Sequence, residues 1–239
     1  ISGDVDFFGF MSNINDEQFE NIQLLNNEFS FYDNDNTLSG TYEAESLYIY
    51  NTNNLVVSNN VFNYKGSITD YLPMINLDSI SNAKISGNKG ANIGLYLSGK
   101  DSVIENNQFN DISVAYYGAY YEYGSSGDGN IKIVGNTLTN PNSESIWIIS
   151  VSGANNVEIS GNDLVSRGIT LAESKDFIVK DEEVTNIYVQ GSGVIEDLVG
   201  SVDLGESSSA TLKGVTACST AETYGWYVKE YPDGTSRSF

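Results

Sequence analysis

The chain has 239 residues, 40% of them apolar, with a formal net charge of −21 and no histidine. That field repels nucleic acid and anionic membrane and disfavours a polyanionic glycan unless a cation bridges the two. No apolar run approaches the roughly 18 residues needed to cross a bilayer, and a lone cysteine, Cys218, excludes an internal disulfide framework.

The first residues, "ISGDVDFFGF", carry no initiator methionine and no basic-then-apolar leader, as expected of a processed chain or an excised piece. "DVDFFGFM" reads as a first coil that leaves the N-terminal end free to join another domain or chain. From residue 21 one nine-residue pattern recurs seven times: "NIQLLNNEF" at 21, "NLVVSNNVF" at 54, "NAKISGNKG" at 82, "DSVIENNQF" at 101, "NIKIVGNTL" at 130, "NVEISGNDL" at 156 and a worn "DFIVKDEEV" at 176. Its first half alternates apolar and polar residues with the two-residue period of a strand. Its Asn or Gly-Asn pair permits a left-handed turn.

A second strand precedes most copies. Apolar pairs stand seven and five residues before the first template position: Leu47 and Ile49, Ile75 and Leu77, Ile149 and Val151, Ile169 and Leu171. One copy is displaced by a residue, giving Leu95 and Leu97. Such constancy describes parallel coils in which like residues lie over like. Asn27, Asn60, Asn88, Asn107, Asn136 and Asn162 then form a ladder of amides about 4.8 Å apart, each bonding to the next and to turn backbone.

The recurring "NxxISGN" pattern resembles the right-handed parallel β-helix of the pectate-lyase-like superfamily, which includes polygalacturonases and many phage tailspikes. The resemblance covers roughly residues 21–184. It implies an all-β fold, a right-handed single-stranded parallel β-helix (a solenoid) with lateral loops, over residues 1–184. Smaller coils or a sheet are expected over 185–220, and a capping β-hairpin with a "PDG" turn over 221–239. The scaffold carries lyases, hydrolases and pure binding proteins alike, so the resemblance does not itself choose among them.

Ladder positions, continued to Glu182, are separated by 33, 28, 19, 29, 26 and 20 residues. The four long coils place their excess in "SFYDNDNTLSGTYEAE", "NYKGSITDYLP", "DISVAYYGAYYEYGSSGDG" and "TNPNSES", all expected to leave at one corner and wall off the outer face of the leading strands. Parity puts Tyr48 and Tyr50 on that face, with Asn76 and Asp78, Tyr96 and Ser98, Ser150, Ser152 and Thr170. Trp147 begins a strand whose direction parity leaves unresolved. With Tyr117 and Tyr121 of the third insertion, Tyr48, Tyr50, Asn76 and Tyr96 are the candidate carbohydrate-binding residues, since tyrosine offers a flat apolar face and a polar tip.

A polygalacturonase-like site requires histidine and an Arg-x-Lys motif, and the chain has neither. A lyase requires a base and a cation beside a uronate carboxylate, for which Arg167 and Lys100 are the candidates. A tailspike-like glycosidase requires two facing carboxylates; Asp78 with Glu122 or Glu144 are the catalytic candidates. Asp33 and Asp35 are hard oxygen ligands suited to Ca²⁺, without the Gly and Glu of an EF-hand loop. The expected protein is extracellular, on a cell or virion surface, and recognises a glycan as an adhesin or tailspike-like receptor binder. The alternatives are a polysaccharide-cleaving enzyme and a structural subunit assembling as a trimer or end to end.

Overall fold

Each repeat turns the chain at the same two template positions, because residues that tolerate the left-handed region stand there. The first template position, occupied by Asn21, Asn54, Asn82, Asp101, Asn130, Asn156 and Asp176, has φ between 50° and 59°. The sixth, occupied by Asn26, Asn59, Gly87, Asn106, Gly135, Gly161 and Asp181, has φ between 54° and 65°. Two fixed corners separated by a short strand divide every winding into three sides. The computed structural model describes residues 8–10, 18–31, 45–64, 74–115, 127–139, 147–165, 167–205, 208–215, 226–230 and 236–238.

Leading strands Phe8–Phe10, Glu45–Asn53, Met74–Ser81, Gly94–Lys100, Ile112–Ala115 and Trp147–Ser152 pair in parallel, and Trp147–Ser152 then pairs with the start of Gly168–Leu204. After the first corner come Gln23–Leu25, Val56–Ser58, Lys84–Ser86, Ser102–Glu105, Gly127–Val134 and Ala154–Ser160, again parallel. The third side is a five-stranded sheet of Glu28–Phe31, Val61–Tyr64, Lys89–Ala91, Gln108–Phe109 and Thr137–Leu138. This is a parallel β-helix, as the repeat predicts.

The interior is built from vertical columns of like residues. Leu47, Ile75, Leu95, Ile112, Ile149 and Ile169 lie in register and are fully buried, each such side chain contributing about 1.5–3 kcal/mol. On the third side the Phe29 and Phe62 rings stack at 5.1 Å and 5°. The displaced pair Leu95 and Leu97 faces Ile75 and Leu77 after all, and the missing residue is absorbed by a bulge that sets Gly99 opposite Ile80. A Cβ on Gly99 would lie 2.2 Å from the Ile80 carbonyl oxygen, so glycine is required at that step.

The amide ladder is continuous. Oδ1 of Asn60, Asn88, Asn107, Asn136 and Asn162 each accepts from both the backbone N–H and Nδ2 of the asparagine one coil before, at 2.8 to 3.1 Å. Each Nδ2 from Asn60 onward also donates to the carbonyl of a strand residue in the coil before, from Leu24 for Asn60 to Ile133 for Asn162. Burial without an orphaned amide makes this stack part of the core.

The insertions do not all leave at one corner. The chain departs after Phe31, Tyr64 and Thr139, between third and leading sides, but the five-tyrosine insertion departs after Ala115 and returns at Gly127. Ile112–Ala115 is itself a leading strand and Gly127–Val134 a second-side strand, so the chain leaves for this insertion from the opposite border of the leading sheet. Beyond the ladder the coils shorten to sixteen or seventeen residues. Trp226–Glu230 pairs in parallel with Ser209–Lys213, and Ser236–Ser238 closes against it antiparallel.

Candidate functional site

The outer face of the leading sheet is a set of straight columns, because parallel register repeats each outward position one strand further on. One column runs through Tyr48, Asn76, Tyr96, Ser113, Ser150 and Thr170. Tyr188 continues it: Ile187 and Val189 on either side are fully buried, and the Thr185 N–H bonds to the Arg167 carbonyl at 3.1 Å. Tyr48, Asn76, Tyr96 and Tyr188 are all half-buried.

Beside this column Tyr50 pairs with Asp78, and the Tyr48 and Tyr50 rings lie parallel, 6.3 Å apart with 6° between planes. The Ser79 hydroxyl donates to Asp78 at 3.2 Å. Tyr48 and Tyr96 stand two strands apart, about 10 Å, with the Asn76 amide between them. From Tyr96 to Tyr188 the floor consists of the small residues Ser113, Ser150 and Thr170. At the far end the Trp147 and Tyr188 rings approach to 6.4 Å at 51° across Gly168, which faces Trp147. Ser98, expected on the surface, is buried at 3% exposure, beside the bulge at Gly99.

Asp111, which sequence reasoning did not single out, borders the same face. It precedes the leading strand Ile112–Ala115 and its Oδ1 occupies the space a Cβ on Gly94 would take, next to the Met74 sulfur. Burial raises its pKa from 3.8 to about 6. Asp78 and Asp111 lie two strands and about four residues apart, a Cα separation of about 16 Å, far wider than the roughly 5–9.5 Å between paired glycosidase carboxyls. Glu122, Glu144, Tyr117, Tyr121, Asp33 and Asp35 lie outside the described residues. Among the described residues no three of Cys, Asp and Glu gather as metal ligands.

Lys100 ends the leading strand Gly94–Lys100 and Arg167 directly precedes Gly168, but the ion-paired cations stand on another side. All four ion pairs among the described residues stand on the second side: Lys84 with Glu105 at 3.1 Å, Lys132 and Lys180 with Glu158 at 3.1 and 3.0 Å, and Lys213 with Glu196 at 3.2 Å. Hydrogen bonds from Lys180 and Lys132 hold the Glu158 carboxyl below its ordinary range. The tyrosine-bearing columns contain no lysine or arginine among the described residues.

Residues 12–164 match the family described as "Right handed beta helix region". No curated protein matches the chain significantly. A solved structure, HetL, a pentapeptide repeat protein involved in heterocyst differentiation regulation from the cyanobacterium Nostoc sp. strain PCC 7120, aligns over 94% of this chain and 93% of its own at 11% identity. Its TM-score of 0.24 is too low to carry an argument.

Proposed function

The chain belongs to the right-handed β-helix family, and on that premise we propose that its leading sheet binds carbohydrate, in the manner of an adhesin or a tailspike-like receptor-binding piece at a cell or virion surface. The observation that carries this reading is the column in which Tyr48, Asn76 and Tyr96 face outward in register. Two tyrosine faces with polar hydroxyl tips supply the apolar stacking and the directional hydrogen bonds that sugar rings and hydroxyls take up. The small floor of Ser113, Ser150 and Thr170 leaves room for a chain lying along the solenoid axis, and Trp147 with Tyr188 offers a second aromatic contact at its far end. With no lysine or arginine in the tyrosine-bearing columns among the described residues and the net charge strongly negative, the fitting ligand is a neutral glycan.

The test is titration of the full chain with neutral cello-, malto- and chito-oligosaccharides, and with oligogalacturonate as the anionic control. The expected result is binding to a neutral member, weakened at least about tenfold by Tyr48→Ala combined with Tyr96→Ala. A silent panel, or binding indifferent to that double substitution, overturns the reading.

A second reading, cleavage of a polysaccharide, draws on Asp111, whose carboxyl is poised near pH 6 at the edge of the same face. Release of reducing ends or of unsaturated, ultraviolet-absorbing products, lost in Asp111→Asn, supports it; silence in both assays removes it.

A further inference from the structure

The amide ladder ends in an acid. Oε1 of Glu182 takes the acceptor place of the next asparagine, receiving the Asn162 backbone N–H at 3.1 Å and Nδ2 at 2.8 Å. Every asparagine from Asn60 to Asn162 also donates its Nδ2 to the carbonyl at the fourth template position one coil earlier. The equivalent carbonyl for Glu182 belongs to Ile159. Glu182 Oε2, the atom in the donor's place, has no hydrogen-bond partner, and the residue is 2% exposed.

The following coil gives no compensation. An offset of sixteen residues sets Gly193 against Phe177 and Gly200 against Val184, and the same offset brings Leu198, fully buried, over Glu182. A carboxylate there is an anion between an amide that feeds only one of its oxygens and a leucine. A carboxylic acid has the one donor and the acceptors of an amide, and fills the ladder position as asparagine does.

We propose that Glu182 fastens its own coil and the C-terminal coils stacked on it, residues 176–215, to the amide stack as a neutral acid, and that its ionisation loosens them. The titratable groups around it supply no counter-charge. Asp181 and Glu183 flank it on its own coil, Asp163 lies on the coil before and Asp197 on the coil after, all pointing to solvent. Lys180, on the outer face, is held by Glu158. Burial raises the Glu182 pKa from 4.5 to about 7, Asp181 adds repulsion, and the two bonds from Asn162 only partly oppose them.

The sign follows from linkage. The packed coil holds the proton more tightly than the opened one, so fastening is complete below about pH 4.5. It weakens by up to tenfold per pH unit as pH rises, and is lost above about pH 7. Hydrogen exchange on the full chain at pH 5 and pH 8, corrected for intrinsic rates, reads this directly. The expected result is a protection loss of at least about tenfold at pH 8 in amides of 176–215, with residues 54–64 unchanged, and no such loss in Glu182→Gln. A wild-type loss that persists in Glu182→Gln, spreads evenly along the solenoid, or fails to occur overturns the proposal. Should Glu182→Gln not fold, carboxyl ¹³C titration of the wild type decides: a midpoint near 7 supports the proposal and one near 4.5 contradicts it.

Discussion

Asn88 Oδ1 accepts two hydrogen bonds from Asn60, one from its backbone N–H and one from its side-chain amide, both at 3.0 Å, although 28 residues separate them in the chain. Asn60 is 0% and Asn88 1% exposed. A buried amide has no water to fall back on, so its partners must be supplied by the coils on both sides. This coupling makes neighbouring coils one structure rather than a string of independent turns.

Removal of one rung from the middle of the ladder breaks bonds in both directions. In Asn107→Ala the Asn88 backbone N–H and Nδ2 lose their acceptor, and the Ile85 carbonyl and Asn136 Oδ1 lose a donor. Each stranded buried group costs about 1–3 kcal/mol. The expected destabilisation is about 3 kcal/mol or more in urea unfolding. The exposed neighbour Asn106, replaced by glycine, retains its left-handed geometry and is expected to change stability by less than about 1 kcal/mol.

Gly99 tests the bulge. Alanine there brings a Cβ against the backbone of Ile80, which cannot swing aside as a side chain does. Gly99→Ala is expected to cost about 1–3 kcal/mol, measured by the same unfolding curves. Gly161→Ala is a control with nothing within 4 Å of its Cβ, carrying only the strain of φ +61°, about 1 kcal/mol.

Asp111 makes stability depend on pH in a known direction. Its pKa is raised on folding, from 3.8 to about 6, so the folded state binds the proton more tightly. Its contribution is most favourable below about pH 4, declines between about pH 4 and 6, and is level above. Asp111→Asn removes that slope. The difference in unfolding free energy between wild type and variant should therefore shift in the variant's favour by about 2–3 kcal/mol across the window. A difference that stays constant from pH 4 to 7 contradicts the assignment.

The sequence shows the ladder plainly, since asparagine recurring at one template position has few physical reasons other than stacked amides. The outward column of Tyr48, Asn76, Tyr96, Ser150 and Thr170 follows from parity once inward pairs such as Leu47 and Ile49 are recognised. Two features escape for definite causes. Ile112 and Val114 form an inward pair, but they stand eighteen and sixteen residues before Asn130 rather than seven and five. The insertion there falls between the first two sides of the coil, and a rule that measures back from the template cannot see across it. That rule consequently assigns the departure of the five-tyrosine segment to the wrong border. Tyr188 carried a readable signal, the buried pair Ile187 and Val189 around it, obscured because the asparagines that mark register end at Asn162. Asp111 carried none: its burial is made by Gly94 and Met74 on neighbouring coils, which chain-local patterns do not report.

In-register winding is the claim on which the proposed binding face rests, and it is tested by distances between exposed positions of one column. Gln23, Lys84 and Lys132 lie on the second side with one strand between successive members. Spin labels placed pairwise at these sites, with Cys218 replaced by serine, allow the spacings to be measured by electron paramagnetic resonance. The account predicts equal separations of about 10 Å for 23 with 84 and for 84 with 132, and about 19 Å for 23 with 132. Separations that follow distance along the chain, or adjacent pairs well beyond 20 Å, contradict it.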